Sequence, residues 1–399
     1  MPHSISPASL TETALPRRAL PIFAAACGVA VANIYYAQPL LDAIAASFGI
    51  APARIGLVVT LTQIGYAIGL VFVVPLGDLI DRRRLVLRQI TLSAAALAIA
   101  GTAPTAGVFL AGMLAVGLLA VVVQVLVAFT AALAPAAERG RAVGLVTSGV
   151  VAGILAARFV SGTIADLGGW RAVYLTSAVL MLGLAVMLRR LLPHHPAPVA
   201  PIGYGALIRS IPVLFLQRPL LRRRAVLAFL IFAAFSTFWT PVVLPLRAPP
   251  LLLSHTEVGL FGLAGLAGAL AAGVAGRLAD RGLGGWTTGL ALAILTLSWA
   301  PIALLGQSLV LLVIGVILLD LAVQAVHVTS QSLIFAAFPK AQSRLVGGYM
   351  VFYAAGSALG AVASTSAYAL AGWSGVCLTG AGISAAGLIF HLVTGRGSP

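Results

Sequence analysis

The chain has 399 residues, 61% hydrophobic and 8% charged, with a mean hydropathy of +1.09. A soluble domain typically carries about 25% charged residues, so a water-soluble globule is excluded and a polytopic membrane protein is implied. The formal net charge of +15 raises nucleic acid as a partner. The basic residues stand in short clusters between apolar runs, without interleaved aromatics, and that is the pattern of membrane topology.

A helix rises 1.5 Å per residue, so crossing a hydrocarbon core of about 30 Å takes about 20 apolar residues. On that ruler six spans are predicted over 20–41, 54–76, 85–104, 106–134, 142–166 and 171–191. Six more are predicted over 223–246, 256–276, 284–306, 308–338, 345–370 and 374–394. The first apolar run has no small-residue cleavage site after it and reads as a span rather than a signal. Tails at 1–19 and 395–399 and a Pro-rich, basic central loop at 192–222 complete the chain, with an amphipathic interfacial piece expected from Tyr204 to Leu216. Cys27 and Cys377 lie in apolar runs far from His or Asp partners in sequence, so neither a metal nor another cofactor is expected.

Punctuation repeats at half the chain length. Gly77-Asp78-Leu79-Ile80-Asp81-Arg82-Arg83-Arg84 is echoed by Gly276-Arg277-Leu278-Ala279-Asp280-Arg281. Arg141-Ala142-Val143-Gly144 is echoed by Arg344-Leu345-Val346-Gly347, and Gly169-Trp170 by Gly372-Trp373. The repeats imply a parallel duplication into a six-helix bundle at 20–191 and another at 223–394, related by pseudo-two-fold symmetry. The fold class is therefore an all-α polytopic membrane protein with twelve transmembrane helices.

Most of the 24 Lys and Arg fall in the two tails, the central loop and the loops on one side, leaving Arg54, Arg171 and Arg247 on the other side and Arg158 inside a span. That bias places both termini in the cytoplasm. The scarcity of lysine beside abundant Ala and Arg suggests a GC-rich bacterial genome, hence the bacterial inner membrane. Small residues at packing spacing (Gly65/Gly69, Gly149/Gly153, Gly262/Gly265/Gly268, Gly356/Gly360) let helix backbones approach closely.

Two six-helix halves, the charged loop and its echo, and Gly169-Trp170-Arg171 resemble the major facilitator superfamily across essentially the whole chain. Ala32-Asn33-Ile34-Tyr35-Tyr36-Ala37-Gln38-Pro39 and Leu319-Asp320-Leu321-Ala322-Val323-Gln324-Ala325-Val326-His327 resemble bacterial members described only as transporters. The resemblance implies a conformational latch at Gly77, Asp78, Asp81 and Arg82, echoed at Gly276, Asp280 and Arg281. Gly77, Leu79, Asp81 and Arg82 match the family loop, whereas Arg84 replaces its usual glycine. Asp81 and Arg82 are expected to brace neighbouring helix ends, Gly77 to permit a tight turn, and Asp78 to face the start of the eleventh helix. The drug-exporter pattern of the fifth helix is met only at Gly149 and Gly153. The fourth helix lacks the arginine that many proton-coupled members place there, and Gln124 is the only strongly polar side chain in its middle.

Charges near the bilayer centre cost about 2.5 to 3.5 kcal/mol on insertion scales and persist mostly where they pair or line an aqueous path. Arg158 in the fifth span and Asp320 in the tenth lie at similar depth and belong to different halves. Asp320 is expected to bind the coupling proton, its charge state deciding a direct or water-mediated contact with Arg158. A permanent ion pair that fixes packing is the alternative. His327 follows two turns after Asp320, flanked by Gln324 and Gln331, as a proton relay or part of a substrate-binding wall. Asn33, Tyr36, Gln38, Gln63, Tyr66, Gln124, Phe235 and Trp239 are expected to line the same cavity, although an interhelical bond is the alternative for each polar one. Such a wall suits a small neutral or amphiphilic solute.

No nucleotide-binding glycine loop is present, and the loop carboxylates Asp42, Asp166 and Glu257 show no His or Cys constellation, so neither an ATP-driven pump nor a membrane enzyme is expected. The function expected is proton-coupled transport, export by antiport ahead of uptake by symport, with a transport-inactive sensor as the further alternative. The expected partners are a small-molecule substrate, protons and the lipid bilayer, and the molecule is expected to act as a monomer.

Overall fold

The computed structural model describes residues 19–135, 138–192, 203–265, 273–337 and 342–395. Every regular element among them is helical. Nine stretches of the described residues are long and apolar enough to cross a membrane. Two of these, Gly140–Leu191 and Gly347–Gly395, hold two spans each, because the backbone leaves helical geometry at Gly169 (φ 79°) and Gly372 (φ 61°). The eighth span opens as His255–Leu260 and Phe261–Gly265, and its middle, 266–272, lies outside the described residues. The architecture is the all-α, twelve-span arrangement of two six-helix bundles.

The duplication visible in the sequence is carried by the backbone. Gly169 and Gly372 both take positive φ, which a residue without Cβ adopts at little cost, and each turns one span directly into the next. The tryptophan that follows anchors each turn. Trp170 packs edge-on against Phe109 (centroids 5.2 Å), while Trp373 donates Nε1–H to Ile302 O at 2.9 Å.

Inside each half the same crossing recurs. A Cβ added at Gly149 would stand 2.2 Å from Ala24 O, and one at Gly153 would stand 2.2 Å from Gly28 O, so the fifth span lies against the first, backbone to backbone. In the second half Gly356 and Gly360 meet Phe229 O at 2.1 Å and Ala233 O at 2.2 Å in the same way, eleventh span on seventh. Lipid tails are as apolar as leucine, so this close van der Waals fit, rather than removal of surface from water, holds such helices together. The two glycines of the partial drug-exporter pattern are thereby explained by packing.

The charged loop departs from its expectation at Gly77. Val74–Asp78 is a 3-10 turn in which Gly77 has no left-handed φ, and an added Cβ would only reach Leu85 and Val125 at 3.8 Å, so the turn does not require glycine. Asp81 caps its own helix, Arg82–Thr102, by accepting from Arg83 N at 2.8 Å and Arg84 N at 3.4 Å. Arg82 donates to Gly77 O at 2.8 Å, at the end of the second span, and Arg83 donates to Arg189 O (2.7 Å) at the end of the sixth. The echo is not a structural copy. Gly276 is helical, Arg281 is exposed, and Ala279–Leu283 forms a π turn that closes on left-handed Gly282 (φ 81°). The side chains of Asp78 and Asp280 lie outside the described residues.

The central helix Tyr204–Gln217 sits at the arginine-rich end, hereafter the basic end. It touches both halves: Tyr204 donates to Phe72 O at 2.6 Å, and Phe215 stacks on Phe352 at 5.5 Å.

Candidate functional site

Two polar clusters occupy the seam between the halves, one midway along the spans and one at the end opposite the basic end, hereafter the far end. Midway, Arg158 and Asp320 are both buried, at 3% and 5% exposure. They do not form the direct ion pair. Arg158 donates Nε–H to Gln38 Oε1 at 2.8 Å, and Trp239 donates Nε1–H to Asp320 Oδ1 at 3.1 Å. The Trp239 ring touches both, its face 3.9 Å from the guanidinium carbon and its edge nitrogen on Asp320, with the Phe235 and Tyr35 rings 5.6 and 5.2 Å from the guanidinium carbon. A cation against aromatic faces gains about 2 kcal/mol when desolvated, which offsets only part of the cost of burying it. Arg158 Nη2 is buried without a hydrogen-bond partner among the described residues. A small void lined by Gln38, Pro39, Arg158, Trp239, Val242 and Val258 adjoins it.

Backbone geometry makes room for these groups. A Cβ at Gly262 would stand 3.1 Å from the Arg158 side chain, and one at Gly265 would stand 2.9 Å from Asp320 Oδ2. The glycines of the eighth span thus seat the two charges.

Toward the basic end the tyrosine hydroxyls of Tyr35 and Tyr353 are hydrogen-bonded across the seam. Tyr66 packs edge-on to Tyr353 (6.3 Å) and accepts from Gln124 Nε2 at 3.3 Å. Phe232 lies against both Tyr353 (4.0 Å) and His327 (5.2 Å). His327 Nδ1 pairs with the Tyr349 hydroxyl at 3.0 Å, and its Nε2 lies 3.3 Å from Gln331 Nε2. Its ring is therefore engaged with the eleventh span rather than with Asp320, which removes the direct relay. Gln324 is half-buried one turn from Asp320, and Gln63 is buried with Oε1 unpartnered among the described residues.

Two expected cavity residues belong to packing instead. Asn33 Oδ1 accepts from Ser177 Oγ at 2.6 Å, which ties the first span to the sixth inside one half, and Tyr36 is buried near it in sequence at the same span's end. The aromatic residues Tyr353, Tyr349 and Phe232 escaped the sequence reading. Tyr349 and Tyr353 stand four apart and therefore share a helix face, a signal that was present.

The far-end cluster corrects the expectation that the loop carboxylates meet no histidine. His255 at the start of the eighth span lies between Asp42 of the short helix Leu41–Phe48 and Asp166 of the fifth span. Its Nδ1 is 2.9 Å from Asp166 Oδ1, and its Nε2 is 3.2 Å from Asp42 Oδ1. Asp166 also accepts from the backbone N–H of His255 (3.1 Å) and of Thr256 (2.8 Å), and from Thr256 Oγ1 (2.6 Å). A carboxylate there meets the positive end of the helix. Arg247 pairs with Asp42 and donates Nη1–H to Leu253 O at 2.8 Å. Sequence separations of 89 and 213 residues hid this cluster from any local pattern.

The backbones close together at this end as well. Added Cβ atoms at Gly162 and Gly56 would stand 2.2 Å from His255 O and 2.4 Å from Ala361 O, and Thr365 donates to Ala53 O at 3.2 Å.

The family model described as Major Facilitator Superfamily matches residues 23–288. The chain is 43% identical over 387 residues to the uncharacterized transporter YgaY of Escherichia coli O157:H7, covering 97% of this chain and 95% of that protein. It is 34% identical over 365 residues to the probable transporter SCO4007 of Streptomyces coelicolor, covering 91% and 84%. Among solved structures, a bacterial homologue of the human lysosomal transporter Spinster, in an inward-facing and occupied conformation, superposes with a TM-score of 0.77 at 14% identity, covering 95% and 96%. The paired bundles, with their buried charges on either side of the seam, thus belong to a member of the major facilitator superfamily of transporters.

Proposed function

We propose that the chain is a secondary transporter that moves a small neutral or amphiphilic solute across the bacterial inner membrane by alternating access, with protons as the coupling ion and both termini in the cytoplasm. The observation that carries this reading is the pair Arg158 and Asp320, buried on opposite halves, without a direct ion pair and each in contact with Trp239. A permanent packing bridge requires direct contact and full hydrogen bonding to repay desolvation. Two charges that are not in direct contact can change partners when Asp320 gains or loses a proton. The aromatic wall of Tyr35, Phe235 and Trp239 fits the apolar body of an amphiphile, and Gln38, Gln124 and His327 supply hydrogen-bonding edges.

In this reading Asp320 is the proton carrier, and Gly77, Asp81, Arg82 and Arg83 brace the basic end. Solute leaves the cell as a proton enters. A second reading, uptake by symport, is favoured by Arg158 Nη2, whose unused N–H suits an anionic solute group. A proton on Asp320 then travels with the anion and keeps the charge of the site constant.

The test uses inside-out vesicles with a pH-sensitive dye and a panel of neutral and carboxylate amphiphiles. Solute-triggered proton release from the vesicle interior, absent in Asp320→Asn, supports antiport. Proton movement in the same direction as the solute, confined to carboxylates and lost in Arg158→Gln, supports symport. Equal responses from wild type and Asp320→Asn remove the coupling role.

A further inference from the structure

The far-end cluster holds a titratable group that the transport reading does not use. His255 stands between two carboxylate oxygens, one on each ring nitrogen, at 2.9 and 3.2 Å. A carboxylate oxygen only accepts, so both nitrogens must donate, and only the imidazolium carries two N–H groups. A neutral ring turns a lone pair on one of the carboxylates and loses that bond. His255 belongs to the second half, whereas Asp42 and Asp166 belong to the first, so the lost bond is a bond between the halves.

We propose that His255 is a second proton-binding site, separate from Asp320, and that its protonation locks the far ends of the two halves together. The groups facing it from the packed elements are Asp42 on the helix after the first span, Asp166 on the fifth and Arg247 on the seventh. On its own helix the exposed Glu257 is occupied in a capping box with Ser254. With His255 protonated, Asp42, Asp166, Arg247 and His255 sum to zero charge. Without the proton the cluster holds one uncompensated negative charge beside the close backbone approach of Gly162 to His255 O.

The direction of titration agrees with this geometry. Burial disfavours the charged ring, but the hydrogen bond and charge of Asp42, followed by the hydrogen bond to Asp166, outweigh it, and the pKa of His255 stands above the ordinary imidazole value. When the far end opens, His255 returns to about 6.5. The lock is therefore complete below about pH 6.5 and is lost as pH rises through the higher value of the closed form, by at most about tenfold in the closed-to-open ratio per pH unit. Acid on the far side holds that side shut, and alkali releases it. No solute enters this argument, so it stands or falls apart from the transported substrate.

The test is a distance measurement on the full chain in nanodiscs, with spin labels at Ala51→Cys and Gln307→Cys on the far ends of the two halves and the native Cys27 and Cys377 replaced by alanine. Titration from about pH 5.5 to about pH 8.5 spans the imidazole range. The closed distance is expected to give way to a longer one as pH rises. In His255→Gln, which cannot titrate, the two populations are expected to be independent of pH. In Asp42→Asn the new amide can donate to a neutral His255 Nε2 while its oxygen still accepts from Arg247, so the closed form is expected to persist at alkaline pH, with at least a tenfold higher closed-to-open ratio than wild type. A wild-type distance distribution that does not move with pH overturns the proposal. So does the wild-type pH dependence surviving in either variant.

Discussion

The far end of the seam and its middle close the same pair of halves by different means. At the far end, opposite charges touch, backbones approach through Gly162 and Gly56, and Asp166 is saturated with donors. In the middle, Arg158 and Asp320 each contact Trp239 instead of each other, and Arg158 Nη2 and Gln63 Oε1 stay unpartnered among the described residues. Buried polar groups without partners cost about 1–3 kcal/mol each. The closed far end therefore confines a middle that is short of hydrogen bonds. A group that supplies the missing partners there gains more than the same group gains at a surface.

The most disruptive way to break this contrast is Gly162→Val. Its Cβ would lie 2.2 Å from His255 O, and overpacking of this kind costs about 1–3 kcal/mol or more, which is about five- to 150-fold in the closed population. The expected outcome is a protein that purifies normally, shows the long label distance at every pH and has lost solute movement. A short distance in this variant would mean that the far end yields more easily than its packing implies.

Trp239→Ala removes a fully buried ring that contacts both charges. Truncating a buried aromatic costs about 3–5 kcal/mol, and thermal unfolding in detergent is expected to register it together with the loss of transport. The milder Trp239→Phe keeps an aromatic face over Arg158 but deletes the donor to Asp320. A hydrogen bond to a charged group is worth about 1.5–3 kcal/mol, so its loss is expected to slow transport by about ten- to 150-fold, with the label distances at the far end unchanged. A coupled change at the far end would show that the two clusters are not independent.

The smallest effect is expected from Gly77→Ala, remote from both clusters. With ordinary space around its Cβ and no left-handed φ, the substitution is expected to leave transport unchanged and to alter stability by no more than about 1 kcal/mol. A transport defect there would restore the glycine to a moving part of the loop.

The sequence was most legible where a physical constraint acts locally. Span length follows from bilayer thickness, and the Gly169-Trp170 and Gly372-Trp373 repeats foretold two turns that the backbone makes alike. Arg158 and Asp320 stood out because charge within a span is rare. Their relation was not legible, since nothing in one dimension brings Trp239 into contact with both. Asn33 and Tyr36 looked like cavity residues because polar side chains on a first helix read identically whether they face a pore or the sixth span. The far-end cluster was invisible for a related reason: Asp42, Asp166, Arg247 and His255 are single residues at four separate helix ends, each unremarkable beside its neighbours.

The turns at Gly169 and Gly372 bear on how the molecule can be handled. Each joins two spans without an intervening loop, so at these two places the far face offers no slack chain for a protease to bind in extended form and no room for an inserted epitope. Probes of which face meets the cytoplasm are therefore best kept away from these two turns, where cutting or insertion would pry neighbouring spans apart.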